Sequence, residues 1–227
     1  MSRALVLLRP EPGWSESAVR ARDLGMVVVG APLFAIEPVA WSCPDPASFD
    51  GLLVGSANVF RHGGSALAGL RSLPVHAVGA ATGAAALDGG FTVASLGSGG
   101  LQAVLDCLAP QRLLRLAGEA HVPLTLPEGA TMETRILYRS RPVPLAAEAA
   151  TALAQGAFAA LHSAEAARHF ASECDRLGLP RETIDLAALG PRIAAAAGRG
   201  WRSIHIAEAP DDAALLAKAQ QMCQTRT

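Results

Sequence analysis

Leu53-Val54-Gly55-Ser56-Ala57-Asn58-Val59-Phe60-Arg61-His62 and Ala160-Leu161-His162-Ser163-Ala164-Glu165-Ala166-Ala167-Arg168-His169 are two copies of one pattern: an apolar run, a Ser-Ala corner, then Arg-His. Working outward, Ala77-Val78-Gly79 and Ala188-Leu189-Gly190 both lead into alanine runs, and Leu105 and Leu216 each follow their glycine by 26 residues. Upstream, Leu5 to Leu8 matches Leu113 to Leu116, Gly25 matches Gly129, and Pro38-Val39 matches Pro142-Val143. The spacing between copies is 104 to 111 residues. A period that long is a domain duplication, since solenoid repeats run to roughly 20 to 50 residues. Two similar domains facing each other would make a cleft, a favoured place for a small-molecule site.

A chain of 227 residues with 51% hydrophobic content supports two small cores. Much of that content is alanine in helical runs such as Ala84 to Ala86, Ala146 to Ala154 and Ala194 to Ala197, where alanine is the best helix former. The net charge is -1 and Lys218 is the only lysine, so no basic stripe suited to nucleic acid is present. Ala4 to Leu8 is too short for a signal-peptide core, and no apolar run approaches a membrane span. Cys43, Cys107, Cys174 and Cys223 are scattered, without a CxxC pair, as expected of reduced thiols in the cytoplasm. The expectation is a monomer with no nucleic-acid or membrane partner.

Periodicity predicts strand, helix, strand for Ala4 to Leu8, Ser15 to Leu24 and Val27 to Ala31, with Ser15 as N-cap and Gly25 as stop. Strands follow at Leu52 to Val54, Val75 to Val78 and Phe91 to Ser95, with helices from about Ala57, over Thr82 to Leu87 and over Leu101 to Leu108. The second copy repeats the order: Phe158 to Leu161, a helix after Ser163, Ile184 to Leu189, Ile193 to Ala197, Ser203 to Ile206 and Ala213 to Met222. Alternation of this kind implies an α/β fold with parallel sheets covered on both faces.

In such sheets ligands gather at the carboxyl ends of the strands. That places the corners at Gly55 to Asn58, Gly79 to Thr82, Gly97 to Gly100, His162-Ser163 and Gly190-Pro191 where a ligand would meet backbone N–H groups and helix dipoles. Glycine and serine also simply turn and cap a chain. Gly97-Ser98-Gly99-Gly100 is not GxGxxG, there is no GxxxxGK[ST], and neither serine corner has GxSxG. The six histidines show no metal-ligand spacing and read as surface or capping residues. The patterns point away from hydride, phosphoryl and metal chemistry, so no cofactor and no metal is expected.

Leu7-Leu8-Arg9-Pro10-Glu11-Pro12-Gly13, Pro32-Leu33-Phe34-Ala35-Ile36-Glu37-Pro38, Phe49-Asp50-Gly51-Leu52-Leu53-Val54-Gly55-Ser56-Ala57-Asn58, Val78-Gly79-Ala80-Ala81-Thr82, Leu137-Tyr138-Arg139 and Leu189-Gly190-Pro191 together resemble uroporphyrinogen-III synthases. The resemblance covers nearly the whole chain in order. It implies a cofactor-free hydro-lyase that closes hydroxymethylbilane into uroporphyrinogen III, with loss of water and inversion of the last pyrrole ring. It also implies two interleaved α/β domains, residues 1–34 with 142–227 and residues 38–136, joined by strands at 35–37 and 137–141. The bare repeat would instead suggest tandem domains split near Pro110.

The implied substrate carries eight carboxylates, which suit helix N-termini and glycine corners. Arg9 and Arg139 are the candidate side-chain partners, because a guanidinium grips a carboxylate bidentately. Tyr138, the only tyrosine, matches the tyrosine that the family places by the cleft and is the candidate proton donor to the departing hydroxyl. The candidate substrate-binding set is therefore Arg9, Ser56, Ala57, Asn58, Gly79, Thr82, Gly118, Arg139, Ser163 and Gly190. Three departures stand out: Gly55 where many members have threonine, His162 before the second serine, and Arg192-Ile193 in place of hydroxyl residues. They keep open a non-catalytic two-domain binding or sensor protein. A sugar-nucleotide transferase is disfavoured by length and by the missing phosphate pocket.

Overall fold

A computed structural model describes residues 3–224. In chain order the elements are β1 (Leu5–Leu7), α1 (Gly13–Asp23), β2 (Val28–Val29), β3 (Phe34–Pro38), β4 (Gly51–Val54), α2 (Asn58–His62), β5 (Val75–Val78), α3 (Ala80–Asp88), β6 (Val93–Gly97) and α4 (Leu101–Asp106). They continue with β7 (Arg112–Gly118), β8 (Thr131–Pro142), α5 (Ala147–Ala154), β9 (Phe158–Leu161), α6 (Ala164–Leu177), β10 (Asp185–Ala188), α7 (Pro191–Ala196), β11 (Ser203–Ile206) and α8 (Asp212–Gln224). Among the described residues, no helix is long and apolar enough to cross a membrane.

The chain forms two compact units, one combining residues up to Ala35 with those from Pro142 onward, the other Ile36–Arg141. The first holds a parallel sheet in the order β11-β10-β9-β1-β2. Its central strands are buried on both faces, which is why they read as unbroken apolar runs. Val6, Ala159, Leu161 and Leu186 face a core closed by Leu153, Phe170 and Ile193 of α5, α6 and α7. Leu5, Leu7, Phe158 and Ala187 face a second core closed by Ala18 and Ala21 of α1 and Leu215, Leu216 and Ala219 of α8.

The second unit holds a sheet in the order β3-β8-β7-β4-β5-β6. From β8 to β6 its strands are parallel. One face buries Leu52, Val54, Val75, Ala77, Leu114 and Leu116 against Val59, Leu70, Ala86 and Phe91. On the other face α4 packs against β4, β5 and β6. The edge strand β3 runs antiparallel to β8: the Val39 N–H donates to the Leu137 carbonyl, and the Val143 N–H to the Leu33 carbonyl, so one index falls as the other rises.

The two sheets exchange their leading strands. β1, the head of the first copy, pairs with β9 of the second, with Leu5 beside Phe158. In turn β7, the head of the second copy, pairs with β4 of the first, with Leu113 beside Gly51. Register makes the equivalence residue by residue: Leu7 lies beside Ala160 in one sheet and Arg115 beside Leu53 in the other.

The element boundaries correct several expectations. α1 starts at Gly13, with Pro12 at its N-cap, and Ser15 is inside the helix. The reason is Glu11, whose carboxylate accepts from the Ser15 N–H at 3.1 Å and hydroxyl at 2.8 Å. Gly25 does end it, with a positive φ of 79°. β6 starts at Val93 because Phe91 is used to fill the core. His76 and His162 are not surface residues: His76 is 8% exposed and bonds Ser95, and the His162 side chain is 9% exposed.

Candidate functional site

In the second unit, the carboxyl ends of β4 and β7 and the middle of β8 enclose a cavity of about 240 Å³. Its lining includes Gly55, Ser56, Leu101, Arg115, Gly118, His121 and Tyr138. Three residues picked from sequence, Ser56, Gly118 and Tyr138, thus come together. Gly118 stands opposite Tyr138 after a register shift at Ala117/Gly118, so β7 ends with its backbone against the phenol ring. A Cβ on Gly118 would lie 2.6 Å from Tyr138 Cε2 and 2.7 Å from Cζ, so only glycine lets the ring lie there. Tyr138 is half-buried, touches the His62 ring at 6.3 Å between centroids, and has a hydroxyl without a hydrogen-bond partner among the described residues. Burial and the adjacent Arg61 charge lower the His62 pKa, leaving its imidazole neutral at pH 7.

The serine corner is built by a local bond: Ser56 Oγ accepts from the Asn58 N–H at 3.2 Å as the chain turns into α2. Ala57 is buried and the Asn58 carboxamide oxygen accepts from Arg61 at 3.4 Å. Gly79, at φ 81°, takes the left-handed backbone that starts α3, and its carbonyl accepts from the N–H groups of Thr82 and Gly83. Thr82 is 5% exposed, so its side chain is packed inside the protein and offers a ligand almost no surface. His121 is exposed and its Nδ1 donates to the Gly118 carbonyl at 2.9 Å, which fixes the loop at the cavity edge.

In the first unit Ser163 is exposed and caps α6, its Oγ accepting from the Ala166 N–H at 3.1 Å. Gly190 precedes α7 in extended backbone. Arg9 is committed inside the protein: its Nη1 donates to Ser17 at 2.9 Å and to Asp212 at 3.1 Å. Asp212 also accepts from Ser17 at 2.7 Å, Arg20 at 2.9 Å and His162 Nε2 at 2.9 Å. Burial opposes ionisation of Asp212, but the bonds from His162, Ser17 and Arg20 outweigh it and hold the carboxyl below its ordinary range. Burial lowers the His162 pKa despite that contact, so the ring is neutral, with Nε2 carrying the proton and Nδ1 unpartnered. Arg139 is likewise held, at 3.0 Å from Glu37. The two arginines expected to grip substrate are therefore both paired with carboxylates of the protein.

Sequence reasoning missed Arg115, Asp212 and His121. A signal for the first was present: a lone arginine inside Leu113-Leu114-Arg115-Leu116 is a charge placed in a buried strand. Among the described residues, no cluster of three or more His, Cys, Asp or Glu is arranged to hold a metal ion.

The family model described as uroporphyrinogen-III synthase HemD matches residues 15–217. The chain belongs to the uroporphyrinogen-III synthase family. The fold of the uroporphyrinogen-III synthetase from Helicobacter pylori 26695 is similar, with a TM-score of 0.66 at 16% identity over 97% of this chain and 99% of that one. A methionine-substituted uroporphyrinogen III synthase from Thermus thermophilus gives a TM-score of 0.56 at 19% identity over 98% and 100% of the two chains. No functionally curated protein matches in sequence. The departure at Gly55 has a local cause in this member of the uroporphyrinogen-III synthase family: a Cβ there would meet Leu101 Cδ1 at 2.8 Å, so Leu101 fills the space that a threonine would need.

Proposed function

We propose that this protein closes hydroxymethylbilane to uroporphyrinogen III, as a cofactor-free lyase of heme biosynthesis. The observation that carries the reading is the Tyr138 hydroxyl, without a partner among the described residues and held against Gly118 in a cavity at the strand ends. The phenol donates its proton to the hydroxymethyl oxygen, which leaves as water, and solvent returns a proton to the phenolate. The pyrrole nitrogen's electron pair expels that water and leaves an azafulvene cation, whose methylene is attacked by the substituted α-carbon of ring D. The bond from that carbon to the ring C methylene then breaks, and this methylene bonds instead to ring D's free α-carbon, which gives up its proton to solvent. Simple end-to-end closure competes, so the main work is to hold the chain folded for the productive attack. N–H groups at the N-terminus of α3 and the Ser56 corner offer donors for carboxylates and for developing negative charge.

Cys174 is buried, which pushes its thiol up to about 12 and leaves it inert, as suits a reducing cytoplasm. Consumption of hydroxymethylbilane by the purified protein, faster than in buffer, supports an enzyme. Tight tetrapyrrole binding without turnover would support a non-catalytic clamp instead.

A further inference from the structure

Arg115 is 3% exposed, near the centre of the second unit's sheet, between Leu53 of β4 and Thr134 of β8. Among the described residues it has no carboxylate partner, and its Nε is buried without a hydrogen bond. Burial lowers its pKa, yet a guanidinium remains charged at any working pH. A buried, unpaired charge is strongly destabilising, so its presence needs an anion to answer it. Arg115 lines the cavity that Ser56 and Tyr138 share.

The sister unit shows what the same place looks like without that demand. Leu7, the register equivalent of Arg115, is fully buried beneath α1, and Trp14 of that helix donates to the Leu7 carbonyl at 3.0 Å. The crossover after β7 has no helix: residues 119–130, with Pro123 and Pro127, pass as an irregular loop whose start lines the cavity. The duplication has therefore exchanged an apolar residue under a helix for a cation under a loop. Two linked changes at one place, both favouring an anionic ligand, go beyond a chance polar substitution. The cavity, about 240 Å³, falls below the ~300 to 1,000 Å³ usual for drug-sized ligands, a size that suits one substituted ring and not four.

We propose that Arg115 is a binding residue that takes a side-chain carboxylate of the substrate and seats one acid-bearing pyrrole ring in this cavity beside Tyr138. The assignment of the ring rests on the tetrapyrrole reading above. Its role is to hold the ring, and the proton transfer stays with Tyr138.

The test is Arg115→Met, which keeps length and removes the charge. With no protein partner to orphan, the variant keeps or gains thermal stability. Its KM for hydroxymethylbilane rises roughly 10- to 100-fold, the loss of a charge-assisted bond, with kcat changed much less, and Arg115→Lys recovers part of the loss. A folded Arg115→Met with wild-type KM overturns the proposal. Calorimetry gives an answer independent of turnover, using a monopyrrole bearing acetate and propionate side chains and its dimethyl ester. The wild type should bind the diacid and not the diester, and Arg115→Met should bind neither. Equal binding of acid and ester by the wild type overturns the proposal even if Arg115→Met fails to fold. A wild type that binds the diacid but never turns over hydroxymethylbilane would sink the enzymatic reading and leave the anion site standing.

Discussion

Tyr138 and Gly118 form one device, because the glycine exists to admit the ring and the ring carries the acid. Tyr138→Phe keeps the packing and removes only a hydroxyl that has no partner among the described residues, so the melting temperature should stay close to wild type. General acid catalysis typically contributes about 10²- to 10⁴-fold, and turnover should fall within that range, with residual activity assisted by solvent. Wild-type turnover in Tyr138→Phe would make the residue structural. Gly118→Ala places a methyl 2.6 Å from the ring and forces it aside. Turnover should drop comparably, while adding Gly118→Ala to Tyr138→Phe should cost little more, since both remove the same donor. Independent, multiplicative losses would show that Gly118 acts on something other than the phenol.

At the scale of elements, α6 is tied to the segment before α5 by Glu173, whose carboxylate accepts from the buried Leu145 N–H at 2.7 Å. The Arg176 hydrogen bond outweighs burial, and with the Leu145 N–H it holds the Glu173 pKa at about 2 against an ordinary 4.5. Because the folded-state pKa is depressed, the stability it contributes is complete above about pH 4.5 and drains as pH falls towards 2. Melting temperatures of Glu173→Gln should lie below wild type near neutrality and converge on it in acid; a constant difference across that window would contradict this. Ser163→Ala should cost about 1 kcal/mol as a lost N-cap, visible in chemical denaturation. The elements were legible because each strand is an apolar run and most helices follow a small-residue corner. What was not legible is pairing. The repeat shows that Leu5 to Leu8 matches Leu113 to Leu116, but not that β1 pairs with β9 while β7 pairs with β4, since parallel pairing depends on packing between distant segments. For the same reason Arg9 looked free in sequence: its partner Asp212 lies at the other end of the chain. Arg115 was passed over because the apolar run around it announced a strand and masked the charge within it.

At the scale of the whole molecule, exchange of leading strands makes neither half of the sequence a folding unit. A fragment ending at Pro110 lacks β7, the strand between β4 and β8 in its own sheet, while β1 and β2 are left without β9. Circular dichroism of that fragment should show a largely unfolded chain, and a cooperative melt would contradict the exchange. Activity should also survive exhaustive dialysis against a chelator, and restoration by a single metal after loss would reveal a site that the geometry does not. The most direct measurement is the isomer composition of the product. Hydroxymethylbilane incubated with the protein, oxidised and separated by chromatography, should give predominantly isomer III at a rate well above spontaneous closure. Isomer I alone, at the rate seen in buffer, would contradict the account.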